Sequence, residues 1–519
     1  MTAVPDRTSP VAATDHHPAQ APAAKGLKGD ALGLVSSIAI GLASTAPAYS
    51  LAATLGLIVA GVGLQTPIVI ILAFIPIWLT ATAFKELNAV DPDCGITFTW
   101  GARAFGPRTG WMGGWGIIIA DVIVMANLAQ IAGQYGFQLV GLHGLANNTL
   151  WTTVAGVVWI VLMTWICYIG IEVSAALQRW MLTIEIAMLA LMAVVALYKV
   201  YAGHGPAGSL HIAASWFNPF HLGSVSTLTQ GVLAAIFIYW GWDSAVSVNE
   251  ETADKERTPG RAAVISTVVL LLIYALVSTS AQSFAGVGTK GNGLANPANS
   301  GDVLSGLGTQ IFGTSGLGWF LAKLLVFMVL TSSAASTQTT ILPTARTTLS
   351  MAVYKAIPDR FARVHSRYLT PTWSTVGMGL VSIVFYVLLT MVSQNVLTDS
   401  ISSVGLGIAF YYGMTGFASV WYFRKVLTRS TRDFLMKGLF PFLGGAMLLF
   451  FFCYAAFDIY ADPSYGQTVI DLPLLGKTGG VSVIGIGSLV LGVVLMVIYQ
   501  FVRPAFFRKE VIAVSHAER

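Results

Sequence analysis

The stretch SSIAIGLASTAPAYSLAATLG, residues 36–56, decides how this chain folds. It carries no charged side chain, and as a helix it is long enough to cross the hydrocarbon core of a bilayer. Yet Gly41 and Pro47 bracket Ala43, Ser44, Thr45 and Ala46. Proline donates no backbone hydrogen bond, and its ring clashes with the preceding turn. A carbonyl or amide opened inside hydrocarbon is costly unless protein, water or solute meets it. The pattern therefore predicts a discontinuous membrane helix whose opened turn is a polar receptor. An amide exposed at the start of the second half-helix suits a carboxylate.

A second such place lies in TLTQGVLAAIFIYWGWDSAVSVNEE, residues 227–251. Gly241 sits between Trp240 and Trp242, with Asp243 next. Glycine permits dihedrals closed to other residues. Tyr239 and Trp240 offer walls for a compact solute or a ring face for an amine.

The rest of the chain reads in the same way. Of its 519 residues, 55% are hydrophobic and 10% charged, against about 25% charged in soluble domains. Apolar runs predict twelve spans: 34–58, 62–85, 110–138, 151–170, 176–199, 226–249, 262–284, 316–345, 372–393, 401–423, 438–459 and 479–503. The fold class is thus an all-α polytopic membrane protein. Short alternating strands, the mark of a membrane barrel, are not what these runs look like.

Charge tests the map. With the N-terminus in the cytoplasm and sides alternating, inside loops hold 24 of the 28 lysines and arginines. The exceptions are Lys199, Lys290 and Lys477 outside and Lys323 within a span. Both termini are therefore expected in the cytoplasm and the chain in the cytoplasmic membrane. Residues 1–30 read as a cytoplasmic tail rather than a cleaved export signal. Residues 506–519 read as a second one. The net charge of +5 follows from this loop bias and gives no argument for nucleic acid.

Breaks in the first and sixth spans imply two halves of five helices each, 31–200 and 222–424. Inverted repeats of this kind place a site near the membrane midplane. Residues 437–505 supply two peripheral helices.

Three acids, Asp121, Glu185 and Asp243, stand in apolar sequence. A charge there is expensive, so each is expected to face an aqueous route, find a partner or hold a proton. Glu185, the deepest within its span, is the leading proton-coupling candidate. Asp243 is a candidate for gating or for recognising an amine, and Asp121 is a further proton-coupling or amine-recognition candidate, with anchoring of its helix as the alternative. TSSAASTQTT, residues 331–340, offers Ser332, Ser333 and Ser336 either to the site or to helix packing. Trp240, Trp242, Tyr411 and Tyr412 are gate candidates, with core packing as the alternative. The charged loop NEETADKERTPGRA, residues 249–262, is expected to form ion pairs.

No cofactor is expected. Cys94, Cys167 and Cys453 lie far apart, the histidines avoid the spans, and no metal spacing or catalytic trio is visible.

Three stretches carry a family likeness: AFKELNAVDPDCGITFTWGARAFGPRTGWMGGW (83–115), FIYWGWDSAVSVNEETADKERTPGRA (237–262) and ARTTLSMAVYKAIPDRFARVHSRYLTP (345–371). Over residues 31–505 the chain resembles the amino acid–polyamine–organocation superfamily of secondary transporters. The resemblance implies a ten-helix inverted-repeat core with two added helices and a solute held by spans one, three, six, eight and ten. It implies a binding backbone at Ser44 and Thr45, the centre of the candidate substrate-binding tract Ala43, Ser44, Thr45 and Ala46. It places an aromatic gate at Tyr239 or Trp240 and a recognition acid at Asp243. Some proton-coupled members have a lysine in span five, whereas this chain has Glu185. The expected activity is proton-coupled uptake of an amino acid or organic amine. Exchange transport, polyamine- or ethanolamine-type import, and a solute-sensing receptor or scaffold are the alternatives.

Overall fold

The computed structural model describes residues 25–297, 302–392, 396–461, 468–472 and 476–512. Residues 1–24 and 513–519, which hold most of the two expected tails, lie outside the described residues.

Helix dominates. The first expected span is two helices, α1 (Leu34–Thr45) and α2 (Pro47–Val62), separated by Ala46. Then come α3 (Thr66–Val90), α4 (Thr97–Phe105), α5 (Pro107–Leu139), α6 (Thr149–Ile169) and α7 (Ile171–Tyr201). The sixth expected span begins as α8 (Val225–Tyr239), opens, and resumes as a one-turn helix, Ser244–Ser247. After it follow α9 (Thr258–Ala285), α10 (Val303–Phe312), α11 (Gly316–Val353), α12 (Thr372–Val392), α13 (Val396–Phe423), α14 (Phe440–Ala461) and α15 (Gly487–Val502).

Among the described residues, ten helical stretches are long and apolar enough to cross a membrane. The first of them, Leu34–Val90, runs through both of the first two expected spans. The chain is thus a multi-pass, helical membrane protein. Leu150, Val158, Trp165, Trp180 and Leu272 lie exposed on the outside of the bundle. A water-facing surface would hide such residues, whereas lipid tails accept them.

Several boundaries differ from the hydropathy reading. The eighth expected span, 316–345, continues as helix to Val353, with Arg346, Thr347, Leu349, Ser350, Met351 and Ala352 buried against neighbouring elements. Pro343 lies inside it without ending it. Single π-helical stretches, Phe434–Leu439 and Ser482–Ile486, lead into α14 and α15. Among the described residues, one antiparallel strand pair, β1 (Val469–Leu472) with β2 (Gly476–Gly479), lies between α14 and α15.

The middle of the bundle is built by α5 packed along α11, with α13 on α5 and α9 on α3. Small residues permit these close approaches. At Gly116 an added methyl would sit 3.1 Å from Tyr411 Cβ, and at Gly405 2.9 Å from the Leu233 carbonyl oxygen.

Candidate functional site

Ala46 takes a left-handed conformation, φ 45° and ψ 69°, and ends α1. Pro47 follows at the first position of α2, where a missing amide hydrogen costs least. The carbonyls around the break are met by hydroxyls and by one backbone amide. Ser336 Oγ donates to the Ser44 carbonyl at 2.8 Å, Ser50 Oγ to the Thr45 carbonyl at 2.5 Å, and Thr45 Oγ1 to the Leu42 carbonyl at 2.7 Å. The Ala43 carbonyl accepts from the Ala46 amide at 3.2 Å.

The amides at the start of α2 are also met. Ala48 N–H donates to Glu185 Oε1 at 2.7 Å, and Ser332 Oγ donates to the same oxygen at 2.8 Å. Tyr49 N–H lies 3.4 Å from Ser332 Oγ. A carboxylate from α7 therefore sits at the positive end of α2, where the helix dipole favours it.

The second break touches the first. Gly241 has φ 118°. A methyl there would lie 2.8 Å from the Ser44 carbonyl carbon and 2.9 Å from its oxygen. Ser44 Oγ and Ser244 Oγ share a hydrogen bond of 2.8 Å, and Ser244 Oγ also reaches the Thr339 carbonyl at 3.3 Å. The opened Ile238 carbonyl accepts from Tyr274 Oη at 2.6 Å.

Asp243 is held between neighbours on α13. Tyr411 donates to Oδ2 at 3.0 Å and Tyr412 to Oδ1 at 2.9 Å. Trp240 Nε1 in turn donates to the Tyr411 hydroxyl. Asp121 on α5 accepts from Thr344 of α11. All three acids are buried, and the hydrogen-bond donors they meet are neutral.

The structure thus brings Ser44, Thr45, Ala46, Gly241, Ser332, Ser336 and Glu185 together around the paired breaks. Trp240, Tyr411, Tyr412 and Asp243 form a connected set on the α13 side. The Trp242 ring packs against Phe84 and Tyr412, with centroids 5.0 Å away in each case. Ser333 is turned to helix packing, donating to the Leu128 carbonyl at 2.9 Å. Lys323 reaches the Gln138 carbonyl at 3.2 Å.

Hydropathy gave no hint of Tyr49 or Tyr274. Tyr274 also interacts with the Thr45 and Ser50 hydroxyls, and Tyr239 stacks edge-on against it at 5.2 Å. The hydroxyls of Tyr49 and Tyr239 are buried without a hydrogen-bond partner.

A second polar cluster closes the bundle at the loop between α3 and α4. Lys25, assigned by composition to the tail, is buried. Its Nζ lies 2.7 Å from Asp93 and 2.7 Å from Glu250, and 3.5 Å from Cys94 Sγ. Asp93, Cys94 and Glu250 form a donor set with metal-like proximity, and the ammonium sits among them in a metal's place. Burial works against the Lys25 charge, yet Asp93, Cys94 and Glu250 hold its pKa well above the usual lysine value. Burial also opposes the Asp93 charge, but Lys25, the Gly95 amide and Ser350 keep its carboxyl below the usual range.

Beside this cluster Leu32 pairs with Thr252 as an isolated parallel bridge. Arg346 grips Glu251 with two bonds of 2.9 Å. Of the ion pairs expected in the 249–262 loop, those of Glu250 and Glu251 are thus formed with distant partners.

Removing one member of a buried pair leaves the other charge uncompensated, a cost of about 3–5 kcal/mol. Lys25→Ala should therefore loosen this end. Hydrogen–deuterium exchange at residues 91–96 and 249–252 should rise by at least about tenfold. Unchanged exchange there would mean that Lys25 does not hold the cluster shut.

The amino acid permease family profile matches residues 32–476. An uncharacterized transporter of Mycobacterium tuberculosis is 24% identical over 465 residues, covering 89% of this chain and 90% of the relative. A low-affinity putrescine importer of Escherichia coli is 20% identical over 415 residues, 80% of this chain and 86% of the relative. A branched-chain amino acid permease of Lactococcus lactis is 24% identical over 223 residues, 40% of this chain and 46% of the relative.

Proposed function

This chain belongs to the amino acid permease family, and from that premise we propose that it takes up an amino acid or related organic amine by proton-coupled alternating access. It is a secondary transporter that moves a small solute across a membrane, not an enzyme. The observation that carries the finer reading is the contact between the two opened turns, Ser44 against Gly241 and Ser244.

Two interrupted helices meeting inside the bilayer hold polar backbone away from lipid while leaving it within reach of a solute. In this reading α1–α2 and α3 are separate crossings, and α8 with its one-turn continuation is another. The total is then twelve, with an inverted five-plus-five core, two peripheral helices and both termini in the cytoplasm. Ser44, Thr45, Ala46, Gly241, Ser332 and Ser336 line the site with Tyr239 and Trp240. Tyr411 and Tyr412 gate it through Asp243. Rocking of one half against the other exposes it alternately.

Glu185 is the coupling group of this mechanism. As a carboxylate it binds the α2 amide end through Ala48, joining two moving elements. When protonated it binds that end more weakly, so proton uptake changes how α7 and α2 are tied.

The test is uptake in proteoliposomes under an imposed inward proton gradient. Uptake should accelerate with the gradient in the native protein. Glu185→Gln should abolish that acceleration while retaining gradient-independent counterflow. Equal acceleration in both proteins would remove Glu185 from the coupling. Equal uptake with and without the gradient in the native protein would remove the coupling itself.

A further inference from the structure

We infer that the solute is an amine without a free carboxylate, because the amide end of the broken helix is already occupied by a carboxylate of the protein's own. This rests on the transport reading above and narrows its substrate class.

A free carboxylate held at a half-helix N-terminus needs open amides. Each amide at the start of α2 has a prior engagement. Pro47 has none to give. Ala48 N–H donates to Glu185 at 2.7 Å, Tyr49 N–H faces Ser332 Oγ at 3.4 Å, and Ser50 N–H closes on the Ala46 carbonyl at 2.8 Å. Ser332 spends its own proton on Glu185 at 2.8 Å. Glu185 is a tethered carboxylate, present at a local concentration no solute matches. A solute carboxylate would have to displace it from the Ala48 amide and the Ser332 hydroxyl.

The remaining groups point the same way. Asp121, Glu185 and Asp243 are buried acids whose hydrogen-bond donors, Thr344, Ser332, the Ala48 amide and two tyrosines, are all neutral. None of these donors carries a positive charge. Tyr49 and Tyr239 flank the two breaks with hydroxyls that are buried and unpartnered. An ammonium donates to phenol oxygens and is attracted by ring faces. The structure already supplies, at the amide end of α2, the acid that an amino acid would bring.

The test compares matched pairs that differ by one carboxylate: putrescine with ornithine, cadaverine with lysine, ethanolamine with serine, ethylamine with alanine. Each radiolabelled compound is assayed for uptake by the native protein in proteoliposomes. The amine should exceed its carboxylated partner by roughly tenfold or more in at least one pair, with no pair reversed. Any pair in which the amino acid is transported as well as, or better than, its amine overturns the inference and leaves the transport reading intact. Failure of every compound to enter overturns both.

Glu185→Ser supplies the second arm by vacating the Ala48 amide. It should narrow the amine preference by about tenfold, through gained uptake of the carboxylated member. A ratio unchanged in a variant that still transports would overturn the assignment to Glu185. If that variant does not fold, the native pairs still decide the substrate class.

Discussion

Gly241→Ala should reduce uptake to background, at least about a hundredfold, while the protein still inserts and folds as a helical bundle. The residue holds φ 118°, a region that residues with a Cβ occupy only under strain. Its Cβ would fall 2.8 Å from the Ser44 carbonyl carbon and 2.9 Å from the carbonyl oxygen. Both contacts are to backbone at the opened turn of α1, which has no flexible end to swing away. Relief requires the two breaks to part, and that breaks the Ser44–Ser244 hydrogen bond as well. Gly136→Ala is the control, since an added methyl there meets nothing within 4 Å. Uptake in proteoliposomes and thermal unfolding in detergent separate the two effects. Native-like uptake by Gly241→Ala would mean that transport does not depend on the abutting turns.

Arg346→Ala carries the largest expected effect on stability. Arg346 and Glu251 are each 1% exposed, and the guanidinium holds the carboxylate with two bonds of 2.9 Å. Deleting the arginine leaves Glu251 buried without its cation, which should cost about 3–5 kcal/mol. Arg346→Lys should recover part of this, because a point ammonium replaces charge but not the two-pronged geometry. Arg346→Met with Glu251→Leu removes both charges and should cost much less than either single change. Thermal denaturation of the purified proteins in one detergent reads the series. A double variant as unstable as the sum of the singles would show that the pair contributes nothing as a pair. The pair also ties α11 to the segment following the second break, so its loss should loosen this end of the bundle along with the Lys25 cluster.

Much of the architecture could be read along the chain. Apolar runs located the long helices, because a helix surrounded by lipid must be apolar over most of its surface. Pro47 marked the first break and Gly241 the second, for reasons local to each residue. Asp121, Glu185 and Asp243 were conspicuous because an acid in such surroundings needs an explanation.

What they bond to was not legible. Glu185 meets Ala48 across 137 positions and Asp121 meets Thr344 across 223. No periodicity encodes such pairings. Trp242 illustrates the same gap: the sequence left gate and core packing both open, and only the fold shows that Phe84 and Tyr412 pack against its ring. Lys25 followed a polar, proline-rich stretch and looked like tail, yet three distant groups bury its charge.

The sequence by itself determined that this is a multi-pass helical membrane protein, where its first and sixth spans must open, and which acids the bilayer must reckon with. These follow from one-residue and one-helix physics: hydrocarbon tolerates neither open backbone nor free charge. Only the tertiary structure decided that the two opened turns touch, that a carboxyl group from α7 fills the amide end of α2, and that Lys25 and Arg346 pair with buried acids at one end of the bundle. Those outcomes depend on which groups helices far apart in the chain bring within about 3 Å, a distance that packing sets.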